Sequence, residues 1–206
     1  MIAYKFLRHG RVGPFSGFAW PPPGGWVTAA ETDRCRRGVH ACRPRDLPWW
    51  LADELWEVEL AGEVRVAGHK LVAPAGGLIR RVERWTTVAA REFADACAWR
   101  ARDHAVRALK LTRHPADAVT LAACATLDDV LGVARGLAEE VVDARVSLTI
   151  AGDGAVRALT GAAPTSAYIA AHAAERLDGR DGYDAERAWQ SRWLVDRLAL
   201  GADELE

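Results

Sequence analysis

Seven of the nine prolines lie before residue 85, and beyond that point alanine takes over. Proline fixes φ and removes a backbone donor, so a proline-dense stretch cannot form a long helix or the middle of a sheet. An alanine-rich stretch with few breakers favours helix. One chain of 206 residues therefore joins two halves of opposite backbone preference. The fold class this predicts is α+β, with a small, mostly antiparallel sheet domain over residues 1–85 followed by an alanine-rich helical bundle over 86–206.

In the first half, residues 2–7 (IAYKFL) read as a strand, and the Arg-His-Gly-Arg-Val-Gly-Pro segment that follows reads as a turn. The Pro-Pro-Pro-Gly-Gly run from Pro21 to Gly25 must be a loop. Trp26-Val27 and residues 38–42 (GVHAC) fit short strands, the second of them buried. Residues 44–51 predict a helical turn, with Asp46 as its cap, Pro48 near its start and two packed tryptophans. The clearest strand is LWEVELAGEVRV, Leu55 to Val66: Leu55, Val58, Leu60, Val64 and Val66 are expected on one face, Glu57, Glu59 and Glu63 on the other, and a bulge or bend at Gly62. Short strands from Lys70 and from Leu78, separated by a turn at Pro74–Gly77, complete the sheet.

In the second half, Thr87 is the expected cap of a helix reaching Leu111, Pro115 opens the next, and Thr126-Leu-Asp-Asp129 has the form of a capping box. Residues 145–151 fit strand or helix equally well. Gly152-Asp-Gly154 reads as a break, Thr165 or Ser166 as a cap, and residues 178–182 (DGRDG) as a turn before a last helix carrying Trp189 and Trp193 on one face.

The formal charge of −1, from 27 basic and 28 acidic residues, gives no field that would gather nucleic acid or an anionic membrane. There is no run of 18 apolar residues, and the opening MIAYKFLRHG is not a basic leader followed by an apolar core. These features predict a cytoplasmic protein with reduced thiols at Cys35, Cys42, Cys97 and Cys124.

Cys35, His40 and Cys42 carry the donor types of a zinc site, but a C-x4-H-x-C group supplies three ligands and no second pair follows, so no metal is expected. Cys42 and His40 read instead as strand residues packed in or near a core. A thiol nucleophile served by His9, His40 or His69 has no local signature behind it. The stripe Glu54, Glu57, Glu59 and Glu63 reads as a solvated sheet face rather than an acid–base pair. Trp20, Trp26, Trp49, Trp50 and Trp56 either wall a pocket for a flat ligand or supply the bulk of a small core. Arg34, Arg36, Arg37, Arg43 and Arg45 form a solvated rim or an anion-binding one.

Gly38-Val-His-Ala-Cys42, the turn ending in Trp49-Trp50 and the strand Leu55 to Val64 follow one another. This order resembles the middle of the ADP-ribosyltransferase fold of the poly(ADP-ribose) polymerase type, in which a G-I-Y-F strand, a helix and a long strand ending in a glycine turn succeed each other. The stretch is also similar to an uncharacterised domain of phage and bacterial proteins with a G-F-H-A-C core. The first resemblance implies that His9-Gly10 stands for the family's His-Gly, whose histidine contacts the ribose of NAD, and that His40 replaces the tyrosine stacked on nicotinamide. It places Lys70 where the catalytic glutamate should stand, with Glu63 and Glu83 the nearby substitutes; either the register is shifted or the domain is a non-catalytic relative. Residues 167–174 (AYIAAHAA), with Glu186-Arg-Ala-Trp-Gln190 and Trp193-Leu194, resemble the alanine-rich helical family of bacterial immunity proteins, which implies helices and a protein partner.

The function expected from these features is a binding or regulatory module, with a ligand site drawn from His9, Gly10, His40, Trp49 and Lys70, NAD or another nucleotide as ligand, and a partner-binding helical half. The competing expectation is an NAD-dependent transferase or glycohydrolase.

Overall fold

The computed structural model describes residues 1–29 and 38–200; Cys35 and the rim arginines Arg34, Arg36 and Arg37 lie outside the described residues. The chain forms two compact units, one made of Met1–Ala89 together with the chain from Ser191 onward, the other of Ala90–Gln190. Small antiparallel sheets precede helices, the α+β arrangement expected from the proline and alanine distribution.

Among its described residues the first unit has seven strands: β1 (Ile2–Leu7), β2 (Trp26–Thr28), β3 (Val39–Ala41), β4 (Glu54–Ala61), β5 (Arg65–Ala67), β6 (Lys70–Ala73) and β7 (Ala75–Arg81). They pair antiparallel in two sheets, ordered β1-β4-β7-β2 and β3-β6-β5. A reciprocal backbone pair joins the sheets, Tyr4 N–H donating to the Cys42 carbonyl at 2.9 Å and Cys42 N–H to the Tyr4 carbonyl at 2.7 Å. Ala3 and Leu7 of β1, Val39 and Ala41 of β3, Trp56, Val58 and Leu60 of β4 and Leu71 and Ala73 of β6 close one core, with Trp20 and Leu78.

The alternation of β4 is offset from expectation. Trp56, Val58 and Leu60 point into this core, whereas Leu55, also fully buried, lies opposite Phe6 on the other face of the sheet. Val66 is exposed rather than inward. The ladder irregularity sits between β4 and β7, where Glu57 faces Arg80 but Val58 faces Leu78, leaving Ile79 as the extra residue. Gly62 is the bend expected there, with φ +82°, and any Cβ on it would collide with the Pro74 ring. Glu57 and Glu59 do face outward, Glu57 paired with Arg80 through its Nε at 2.8 Å.

The turn after β3 is a 3₁₀ helix, Pro44–Trp49, whose first residue follows Arg43 without any side-chain cap. Asp46 is therefore not its cap: the buried carboxylate accepts from Arg43 Nε at 2.5 Å and faces His69 Nδ1 at 3.2 Å. The two tryptophans hold the β5–β6 turn, Trp49 stacking on His69 at 3.9 Å and Trp50 Nε1 donating to the His69 carbonyl at 2.6 Å.

The helices are α1 (Thr87–Leu111), α2 (Pro115–Ala122), α3 (Leu127–Glu140), α4 (Arg145–Leu159) and α5 (Ala163–Leu198). Thr86, not Thr87, caps α1, accepting from Ala89 N–H at 3.1 Å. The capping box of α3 forms as expected between Thr126 and Asp129. Residues 145–151 are helical, and Gly152-Asp-Gly154 lies inside α4 rather than breaking it. Both glycines are buried, and a Cβ on Gly154 would lie 3.3 Å from Ala101 and 3.4 Å from Ile169, so the residue serves close helix packing. Thr165 and Ser166 are already within α5. Gly179, at φ 65° and ψ −150°, folds α5 back on itself, which is the turn expected at 178–182, and Gln190 Nε2 then reaches the Ala167 carbonyl at 2.9 Å. Buried Glu186 accepts from Arg100 Nε at 2.7 Å and lies 3.3 Å from His104 Nε2. No described helix is long and apolar enough to cross a membrane.

Candidate ligand-binding cleft

The register of β1 against β4 places Ala3 opposite Val58, Lys5 opposite Trp56 and Leu7 opposite Glu54. Cross-strand partners share a face, so Lys5 stands on the core side of the sheet between two buried apolar residues. Its ammonium donates to the His40 carbonyl at 2.5 Å and lies 4.9 Å from the centroid of the Trp20 ring. Burial lowers the amine to about 8, an effect that the neighbouring Cys42 thiol partly offsets.

His40 is the middle residue of β3. Val39 and Ala41 belong to the core, and strand alternation turns the imidazole the other way. It lines a cavity of about 290 Å³ with Tyr4, Lys5, Cys42, Trp50, Lys70 and the 13–16 loop that carries Phe15. His40 Nε2 is buried without a hydrogen-bond partner. Burial lowers the imidazole below its ordinary value, and the Lys70 and Lys5 cations lower it further, so the ring is neutral near pH 7. Burial pushes the Cys42 thiol up, as does Asp46, which leaves the sulfur a poor nucleophile.

The chain has only three lysines, Lys5, Lys70 and Lys110, among 27 basic residues. Two of the three line this cavity, and no carboxylate does among its described lining residues. The described lining combines two lysines, the His40 imidazole and walls from Trp50 and Phe15, which meet edge to face at 6.1 Å. Such a lining suits a small anion with a flat or apolar body. A second cavity, about 590 Å³, is lined by Arg80, Arg81, Glu57, Glu83 and Leu198–Leu200. Its charges are mixed, and Arg80 is already bound to Glu57.

Of the five candidates read from the sequence, His40 and Lys70 meet in the cleft, while His9, Gly10 and Trp49 lie elsewhere. The His9 side chain is 82% exposed and 3.9 Å from Glu54, and its backbone N–H donates to Asp53 at 3.1 Å. Gly10 N–H donates to Glu54 at 3.2 Å, in a turn where φ is +75°. Trp49 stacks on His69, and its neighbour Trp50 takes the wall of the cleft. Glu54, expected in a solvated stripe, is buried. Burial pushes its carboxyl up, but the Trp56 indole, the Gly10 and Arg11 amides and Arg81 outweigh that and hold it below the ordinary range. Lys5 is a lining residue of this cleft that was not among the candidates expected from the sequence. The signal was its place between Ala3 and Leu7 in an otherwise apolar strand.

No family model matches the chain, and neither a curated protein nor a solved structure matches it.

Proposed function

We propose that this protein is a binding module whose β unit holds a small anionic ligand in the cleft of Lys5, His40 and Lys70 without transferring any part of it. The observation that carries this reading is the convergence of two of the three lysines and the His40 imidazole, whose Nε2 is unpartnered, on one aromatic-walled cavity. Hydrogen bonds to charged groups contribute about 1.5–3 kcal/mol each, so two lysines suffice to hold a phosphate or carboxylate. A transferase acting on NAD needs a carboxylate against the cationic, oxocarbenium-like centre. The substitutes suggested by the sequence do not line this cavity: Glu63 is exposed and bound to Arg65 at 3.0 Å, and Glu83 lines the other cavity. These positions favour a non-catalytic relative of the ADP-ribosyltransferase type over an active one.

The volume of about 290 Å³ is at the lower end of the roughly 300–1,000 Å³ of ligand pockets. It accepts a phosphate, a small carboxylate or a nicotinamide-sized ring, and a whole dinucleotide would leave most of its surface outside. Calorimetric titration with inorganic phosphate, ADP-ribose and NAD tests the reading. Binding of at least one is expected, weakened about tenfold by Lys70→Gln, as loss of about 1.4 kcal/mol requires. Labelled NAD is expected to remain intact. Released nicotinamide would overturn the non-transferring reading, and failure of all three to bind would overturn the cleft itself.

The helical unit, on the same proposal, serves a protein partner. Its support is the set of apolar side chains left in water, Val119, Val142 and Val146 among them. Sedimentation of the full chain over a concentration series tests whether that partner is a second copy.

A further inference from the structure

We propose that Lys5 captures carbonyl compounds covalently, forming an imine with a small α-keto or aldehyde acid whose carboxylate is held by Lys70. The proposal rests on the cleft as an anion site and adds a bond to it.

The geometry singles out one amine. Lys5 is fixed by β1 on the core side of the sheet, with its Nζ at the His40 carbonyl, and it is among the residues that line the cavity. Lys70 and the His40 imidazole line the same cavity. Lys110, the remaining lysine, is an exposed residue in the last turn of α1. Elsewhere the chain uses arginine for its positive charge, and arginine cannot serve as an amine nucleophile because it does not lose its proton. With its amine lowered to about 8, about a quarter of Lys5 is unprotonated at pH 7.5, against roughly a thousandth of an ordinary lysine.

The chemistry balances without any redox partner. The Lys5 nitrogen lone pair forms a bond to the carbonyl carbon while the C=O π pair takes up a proton, giving a carbinolamine. The nitrogen then loses a proton and the hydroxyl leaves as water, so that one water is released per imine. The neutral His40 imidazole, with its buried Nε2 uncommitted, can carry the proton between nitrogen and oxygen. The carboxylate of the acid, drawn to Lys70, would hold the carbonyl within the same small cavity.

The test uses the full chain, pyruvate as probe, and borohydride to reduce any imine to a stable carboxyethyl-lysine, mapped by peptide mass spectrometry. Lys5 is expected to be labelled at least about tenfold faster than Lys110, which serves as an internal control for an ordinary amine. Lys70→Gln is expected to slow labelling by pyruvate about tenfold while leaving labelling by propionaldehyde, which has no carboxylate, unchanged. His40→Gln is expected to slow both probes. Equal labelling of Lys5 and Lys110 in the unmodified protein would overturn the proposal, and this comparison needs no variant to fold. Pyruvate that raises the melting temperature but leaves no trapped adduct would overturn the imine and keep the anion site. Absence of any response to pyruvate or phosphate would overturn both.

Discussion

Lys5 carries a cost that is visible as pH dependence. Its folded amine titrates at about 8, below the value of about 10.4 for an exposed lysine, so the unfolded chain binds more protons between those values. Stability therefore rises with pH across that window, and the penalty of burying the cation is fully present below pH 8. Lys5→Met removes the charge while keeping the volume. It is expected to stabilise the protein on the order of 1–2 kcal/mol at pH 7, with the gain shrinking towards zero as the pH approaches 10.5. Urea unfolding of both forms at a series of pH values measures the difference, in which titration of Cys42 and the tyrosines cancels to first order. A gain independent of pH would mean that the amine is not buried as a cation.

Gly152 and Gly154 show how far element-level reading reaches. A helix interior glycine costs about 1 kcal/mol relative to alanine, which is why the pair reads as a break. Packing overrides that preference in α4, because Gly154 sits against Ala101 and Ile169. Gly154→Val is expected to destabilise by about 2 kcal/mol through overpacking. Gly152 meets nothing closer than 3.9 Å, so Gly152→Ala is expected to stabilise by up to about 1 kcal/mol. Thermal unfolding of the two variants should move in opposite directions. Elements written in local chemistry were legible: β1 in its apolar run, α3 in its Thr126–Asp129 box, the reversal at Gly179 in its glycine-rich turn. The inward lysine was not, because a lone cation in a strand takes its face from the register with β4, and that register depends on residues fifty positions away. Trp49 and Trp50 were indistinguishable for the same reason, since only the β5–β6 turn decides which ring it stacks on.

At the scale of the whole molecule, the first unit is discontinuous in sequence. Ser191 Oγ donates to the Arg45 carbonyl at 2.7 Å, and Leu194, Val195 and Leu198 are buried. At about 2 kcal/mol for each buried side chain, these three contribute roughly as much as the entire net stability of a small domain, about 5–15 kcal/mol. A chain ending after Gln190 is therefore expected to lose the fixed tryptophan environments of the β unit, seen as collapse of its near-ultraviolet circular dichroism. An unchanged spectrum would mean that the unit completes itself within its first 89 residues.

That discontinuity sets an order of events during synthesis. Domains fold as units as they leave the ribosome, and Ala90–Gln190 is wholly available before Ser191 has been added. The strands that carry Lys5, His40 and Lys70 leave the ribosome before the segment from Ser191 that belongs to the same unit. The two segments of the β unit can thus meet only after the whole of Ala90–Gln190 has been translated.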